Sequence, residues 1–309
     1  MTLHQTSGNW RLGLGLALLT TFLWGVLPLL LKITLQVLDP YTVTWFRFLI
    51  AFSLLAIWLT LKGNFPTREN LKSKVIKLLA IAAFFLAANY ILFLIGLKLT
   101  SPGNAQVLIQ LAPVLLGFGS LIIFKERYTI LQWIGVGILT LGFALFFNQK
   151  LKLLIDSSSE YLIGSGIIVI AAIAWAVYGL AQKQLLQQLS SSQIMLIIYG
   201  VCALLFMPFS QPQTILNINF FHLIILIFAA LNTLIAYGAF AESLQHWESS
   251  KISAILGTVP VVTLISIQIV SSMFTNLIAA EKITYLGILG AILVVIGSVT
   301  IAATNKSSG

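Results

Sequence analysis

Charge is what this chain has least of. Only 8% of its 309 residues are Asp, Glu, Lys or Arg, against about 25% in a soluble domain, and no soluble surface can be built from so few. Acids are the scarcer sign. The two aspartates, Asp39 and Asp156, lie in loops, and every glutamate lies at the end of an apolar run or between runs. No carboxylate is therefore expected in mid-membrane, where proton relays commonly place one. That leaves a facilitator, or coupling through an interfacial acid such as Glu126 or Glu281. The single cysteine, Cys202, sits inside an apolar run, which excludes a disulfide framework and a zinc site. The three histidines, His4, His222 and His246, fall at or near span ends, without an HExxH pattern and without an acid paired to them inside a span. An intramembrane enzyme needs a nucleophile–base pair or a metal set, so that class is disfavoured and no cofactor is implied. No G-x-x-x-x-G-K-S/T loop occurs, so ATP is not the expected power source.

What the chain has is length in apolar runs: 59% of it is hydrophobic and the mean hydropathy is +1.02. A spanning helix needs roughly 20 apolar residues. The first half supplies Trp10–Leu35, Pro40–Leu61, Val75–Leu97, Asn104–Phe124 and Thr129–Phe147; the second supplies Tyr161–Ala181, Gln193–Pro208, Phe220–Ala241, Ile252–Val270 and Ile283–Ala303. The Gln193 run is the shortest. The first run, Leu12–Leu31, exceeds the 7–15 residues of a signal-peptide core and has no A-x-A-like cleavage site, so it is expected as a span. Pro40 and Pro102 stand at helix starts, where a missing N–H costs nothing. Pro28 and Pro113 fall inside apolar runs, where each frees a carbonyl that neighbours or water must satisfy.

The chain repeats itself. Residues 126–142 read ERYTILQWIGVGILTLG and residues 281–297 read EKITYLGILGAILVVIG, an offset of 281 − 126 = 155 that puts Glu126 on Glu281, Gly135 on Gly290 and Gly142 on Gly297. At offset 151, Trp24 falls on Trp175 and Lys32 on Lys183; at offset 143, Asn89 falls on Asn232. Pro113 to Glu126 is 13 residues but Pro260 to Glu281 is 21, an excess around Ser271–Ala280. The organisation expected is an all-α membrane protein of about ten spans: a five-helix repeat over 1–147, a polar linker over 148–160, a second five-helix repeat over 161–303 and a tail over 304–309. Five is odd, so the second repeat enters the membrane inverted, the plan of secondary transporters with sites at the midplane. With the N-terminus inside, the inner segments carry eleven Lys and Arg and the outer segments five. Both termini are therefore expected in the cytoplasm of a multi-pass plasma-membrane protein. The net charge of +9 is spread over short loops as a topology marker, so a nucleic-acid partner is not expected. The expected partners are the lipid bilayer and a small-molecule substrate, with a homodimer as a further option.

The pieces FLWG (Phe22–Gly25), DPYTVTWFRF (Asp39–Phe48), the run Ala105–Pro113, IAWAVYGL (Ile173–Leu180), ILGTVPVVT (Ile255–Thr263) and AEKITYLGILGAILVVIGS (Ala280–Ser298) come in order. In this pattern the chain resembles the EamA family of the drug/metabolite transporter superfamily over nearly its whole length. The resemblance implies a ten-helix carrier with a central cavity that moves small metabolites, often outward. The longer Pro260–Glu281 spacing departs from it.

Asn89 and Asn232 are the foremost candidates for substrate binding. Each lies about 12 residues into its span, or roughly 18 Å from opposite faces. A buried amide is costly towards lipid and so turns to the bundle interior, as cavity lining or as an interhelical hydrogen bond. Tyr90 points about 100° away from Asn89. Gln106, Gln110 and Pro113 share one face of the fourth helix, while the ninth offers only Ser253, Thr258 and Pro260, so substrate hydrogen bonds lean towards the first half. Trp24 on the first helix, and Trp175, Tyr178 and Gln182 at i, i+3, i+7 on the sixth, form aromatic faces suited to an amphipathic substrate or to plain packing. Lys32 and Lys183 near helix ends are expected to snorkel. Arg47, seven residues past Pro40, either pairs a substrate carboxylate or snorkels, and stands with Glu126 and Glu281 as a gating or coupling candidate; its aromatic neighbours favour a structural role at the interface. Glu126 and Glu281 each open a helix, where the macrodipole stabilises a carboxylate, with a gating or coupling role as the alternative. The glycine pairs Gly135/Gly142 and Gly290/Gly297 read as close helix packing. The reading that results is a secondary transporter, an exporter by resemblance, of small neutral amphipathic metabolites such as amino acids. A non-transporting receptor or scaffold competes with it, and an intramembrane enzyme less so.

Overall fold

The computed structural model of the chain describes residues 6–66, 71–126, 128–146, 159–273 and 284–303. Among these residues there are helices and no strands. The first half holds α1 (Trp10–Thr34), α2 (Pro40–Lys62), α3 (Ser73–Leu99), α4 (Pro102–Leu108), α5 (Leu111–Ile123) and α6 (Ile130–Phe146). The second holds α7 (Ser159–Leu185), α8 (Ser191–Phe206), α9 (Phe220–His246), α10 (Ser249–Leu256), α11 (Val259–Met273) and α12 (Tyr285–Ala303). Counting α4 with α5 and α10 with α11, nine described segments are long and apolar enough to cross a membrane, and the apolar helix Ile130–Leu145 is a shorter tenth. The linker expected from residue 148 gives way to α7 at Ser159; of the excess around Ser271–Ala280, Ser271–Met273 continue α11, and residues 274–283, with Glu281, lie outside the described residues.

Local chemistry sets the starts. Asp39 accepts from the N–H groups of Tyr41 and Thr42 with Pro40 in the first turn of α2. Ser190 and Gln193 form a reciprocal capping box at α8, which secures the shortest predicted span. Asn219 caps α9 through the N–H of His222.

The fourth and ninth spans are each broken into two helices. The fourth breaks at Ile109–Gln110 and the ninth at Gly257–Thr258. Proline explains both positions. It has no N–H and its ring clashes with the carbonyl four residues earlier; those carbonyls belong to Ile109 for Pro113 and to Leu256 for Pro260. The chain tightens instead, with Ala112 N–H donating to Ile109 O at 2.9 Å and Thr258 N–H to Ile255 O at 3.0 Å. The two breaks therefore match across the repeat.

The halves are interleaved rather than side by side. α3 packs along α7, α1 along α9 and α6 along α12, each pair drawing one helix from each half. At the α6–α12 crossing the backbones nearly touch. A Cβ on Gly142 would lie 2.6 Å from Val294 N, and one on Gly297 would lie 2.5 Å from Leu139 N. Only glycine admits that approach, and the close packing expected of these residues is present.

Candidate functional site

A cavity sits where the two halves meet. Its wall takes Trp24, Leu27, Pro28 and Leu31 from α1 and Asn89, Tyr90, Phe93 and Leu94 from α3. The two broken spans add Gln106, Gln110 and Pro113 on one side and Leu256 and Val259 on the other. The lining climbs α1 from Trp24 to Leu31, so the cavity runs from mid-bundle towards the end that carries Lys32. In the opposite direction it stops on aromatic rings. Trp24 meets Trp175 edge-on at 5.5 Å and Tyr237 at 4.9 Å, and Phe240, fully buried, lies 4.9 Å behind Trp175. Edge-to-face contacts of this kind lock rings against each other. Tyr178, one turn beyond Trp175, is also fully buried and donates its hydroxyl to Met195 Sδ at 3.4 Å. It packs behind the wall and does not line the cavity.

The polar wall comes from the first half. Gln106 and Gln110 face the cavity together, although the helix break falls beside Gln110. Gln110 Oε1 and Trp24 Nε1 are buried without a hydrogen-bond partner among the described residues. Leu256 and Val259 answer them from the second half with apolar surface.

Arg47 departs from the interfacial role expected of it. It is 2% exposed, and its Nε donates to Thr233 Oγ1 at 2.9 Å and to Ala229 O at 3.3 Å on α9. Its guanidinium carbon stands 4.6 Å over the Tyr90 ring, and the residue lines the cavity. The carbonyl, hydroxyl and ring faces of its neighbours supply what the headgroup region would have supplied. Among the described residues no carboxylate pairs with it.

Asn89 and Asn232 part company. Asn89 lines the cavity, yet its Nδ2 donates to Ala171 O on α7 at 2.9 Å. Asn232 lies outside this cavity and donates to Leu23 O on α1 at 2.7 Å. Tyr90, set aside by its angle from Asn89, and Tyr237, which nothing singled out, both line the site because the cavity wraps around α3 and reaches α9.

Glu126 does not open α6. The Thr129 N–H and the Gln132 side chain, with Thr129 Oγ1 and the Gln132 N–H, close a capping box there. Glu126 instead caps α10. Its carboxylate accepts from the N–H groups of Ser249 and Ser250 at 3.3 and 3.2 Å, from Ser249 Oγ at 3.1 Å, and from Lys183 Nζ. Lys183 is 1% exposed and donates also to Ser249 Oγ at 2.7 Å, so it does not snorkel. Burial alone would push the Glu126 carboxyl up. The Lys183 ammonium and the hydrogen bonds from Ser250 outweigh it and hold the group below the usual carboxylate range. Nearby Tyr128 is pushed up to about 12, first by burial and then by the Glu126 charge. This knot ties α5, α7 and α10 together at the end of the bundle opposite Lys32. Lys32, half-buried near the end of α1, turns its ammonium to the end of α3 and donates to the carbonyls of Leu97 at 2.9 Å and Thr100 at 2.7 Å. α9 also outruns the predicted span, and His246 Nε2 meets Glu242 at 3.2 Å within its last turns.

A second cavity lies on the other side of the broken span. Gln110 and Pro113 border both; the rest of the second is shared among Tyr128, Thr140, Ser250, Ser253, Gly257 and apolar residues of α5, α6, α10 and α12.

Two interleaved, inverted five-span halves around a partly polar cavity define an integral membrane transporter of the inverted-repeat type. The chain belongs to the EamA-like transporter family, which matches it over residues 11–148 and 162–303. It is 36% identical over 299 residues to an uncharacterised inner membrane transporter of Escherichia coli strain K12, YhbE, covering 96% of this chain and 93% of that one. It is 33% identical over 295 residues to an uncharacterised transporter of Haemophilus influenzae, covering 96% of each. A crystal structure of a protein 14% identical in sequence superposes with a TM-score of 0.69 over 96% of this chain and 98% of the other, a likeness of fold.

Proposed function

We propose that the protein is a secondary transporter that exports small amphipathic organic metabolites, amino acids among them, by alternating access around the central cavity. One observation supports this above others. The cavity lies between the halves, takes residues from both broken spans, and ends on packed rings in the direction of the Glu126–Lys183 knot. With the termini in the cytoplasm, as the distribution of Lys and Arg suggests, the cavity faces outward and the knot holds the cytoplasmic side shut. Gln182, two turns beyond Trp175 on the same face of α7, is fully buried with both amide atoms unpartnered among the described residues. A polar group stranded there suits a path that opens in the alternate state. Export as the direction follows the family resemblance alone.

Counterflow in proteoliposomes tests the reading. Vesicles loaded with single amino acids should take up the labelled counterpart, and Trp24→Ala or Trp175→Ala should reduce the rate by about ten-fold or more through loss of the aromatic wall. Absence of exchange across amino acids and other small metabolites, from monodisperse protein, would favour the receptor or scaffold class.

A further inference from the structure

We infer that the transported molecule is an organic monoanion, an amphipathic carboxylate, and that Arg47 with its donor neighbours holds the carboxylate. This rests on the transporter reading above and narrows its substrate class, since a neutral or zwitterionic ligand fits the cavity less well.

Charge balance is the first ground. Arg47 is the only titratable side chain with a full charge in the described wall, and no acid faces it from any of the elements that build the wall. A guanidinium stays protonated under all conditions a protein meets. An ionised group in the membrane interior is costly and is normally paired. Nε already serves α9 through Thr233 and Ala229, which leaves the forked end of the group over Tyr90 at the cavity. That fork matches a carboxylate in two parallel hydrogen bonds.

The rest of the polar wall leans the same way. Trp24 Nε1 is a donor without a partner among the described residues and has no acceptor capacity, and the amides of Gln106 and Gln110 can each present an N–H₂ group. A zwitterion would also need an acceptor for its ammonium. The wall offers for this the amide oxygens of Asn89, Gln106 and Gln110 and aromatic faces, but no carboxylate, while a second cation would repel Arg47 across a low-dielectric space. Leu27, Leu31, Phe93, Leu94 and Ile109 leave room for an apolar body.

The test is a set of matched ligands on the purified full-length protein in detergent, read by quenching of tryptophan fluorescence, since Trp24 and Trp175 line the site. The probes are 3-phenylpropanoate, phenylalanine and 3-phenylpropanamide, and 4-methylpentanoate, leucine and 4-methylpentanamide, at neutral pH. Each carboxylate is expected to bind about ten-fold or more tighter than its amide and its amino acid, the scale of one charge-assisted pair. Arg47→Lys should keep a preference for the carboxylate. Arg47→Gln should erase that preference while still binding the amides, which shows that its cavity persists. Equal binding of carboxylate and amide overturns the inference and leaves the transporter reading standing, as does tighter binding of the amino acids. Binding by none of the six at millimolar concentration, from monodisperse protein, overturns the inference together with the reading of this cavity as a site for small amphipathic metabolites.

Discussion

Asn89 and Asn232 perform the same act on opposite halves. Each amide, near the middle of its own span, donates to a backbone carbonyl of the helix that opens the other repeat: Asn89 to Ala171 at 2.9 Å, Asn232 to Leu23 at 2.7 Å. Leu23 precedes Trp24, whose carbonyl loses its helical partner to Pro28. The amides therefore stitch together α3 with α7 and α9 with α1, the pairs that interleave the halves.

Replacing them separates structure from binding. Asn232→Ala is expected to cost about 1–2 kcal/mol of stability and to leave ligand affinity within roughly three-fold, because Asn232 lies outside the cavity. Asn89→Ala should cost a similar amount of stability and also weaken binding, because Asn89 lines the cavity. Thermal unfolding in detergent beside ligand titration checks both. Equal effects of the two on affinity would contradict the placement.

The Glu126 knot has a definite pH signature. Its carboxyl lies below the usual range when folded, so its contribution is complete above the ordinary carboxylate pKa, about 4.3, and is lost as pH falls through the lowered folded value. Glu126→Gln leaves Lys183, 2% exposed at its side chain, without its counter-charge, and is expected to cost about 3–5 kcal/mol. The gap in Tm between parent and variant should stay constant from pH 8 to about pH 5 and narrow only in stronger acid. A gap that closes between pH 7 and pH 5 would show the carboxyl to be raised rather than lowered.

Glycine packing between α6 and α12 predicts a sharp contrast. Gly142→Ala and Gly297→Ala place a methyl within 2.6 and 2.5 Å of facing backbone nitrogens, and each should destabilise by about 1–3 kcal/mol. Gly137→Ala, on the same helix as Gly142, meets nothing within 4 Å and should be neutral or slightly stabilising. A Tm series of the three variants decides.

Pro113→Ala restores an N–H for the Ile109 carbonyl and allows the fourth span to run straight. Stability is expected to hold or rise, while counterflow falls by about ten-fold or more, because Gln110 would rotate out of a wall that depends on the break. Unchanged transport would detach the break from function.

Much of the fold was legible because it is written in composition and spacing. Ten spans, their starts at Pro40 and Pro102, the inverted repeat and the close glycines all follow from apolar length, missing N–H groups and self-similarity. The site was legible in depth but not in direction. Rise along a helix put Asn89 and Asn232 near mid-membrane, yet the side each faces depends on neighbours from the other half, so only Asn89 reaches this cavity. Lys183 departs from its expected place for a related reason. Nothing local reveals that Glu126 and Ser249 would stand beside it. Pro113 marked disruption of the fourth span, but the break appears one turn earlier, at the carbonyl that the proline abandons.

The interleaving also bears on how the chain is made. Asn232 is 209 residues downstream of the carbonyl it serves. At about 5–20 residues per second, roughly 10–40 s separate the synthesis of Leu23 from that of its partner. During that interval α1 lies in the bilayer with its proline-disrupted middle uncovered, and α3 likewise waits for α7. The first five spans are therefore a nascent intermediate, and the transporter becomes one folded body only once α9 has met α1 and α12 has met α6.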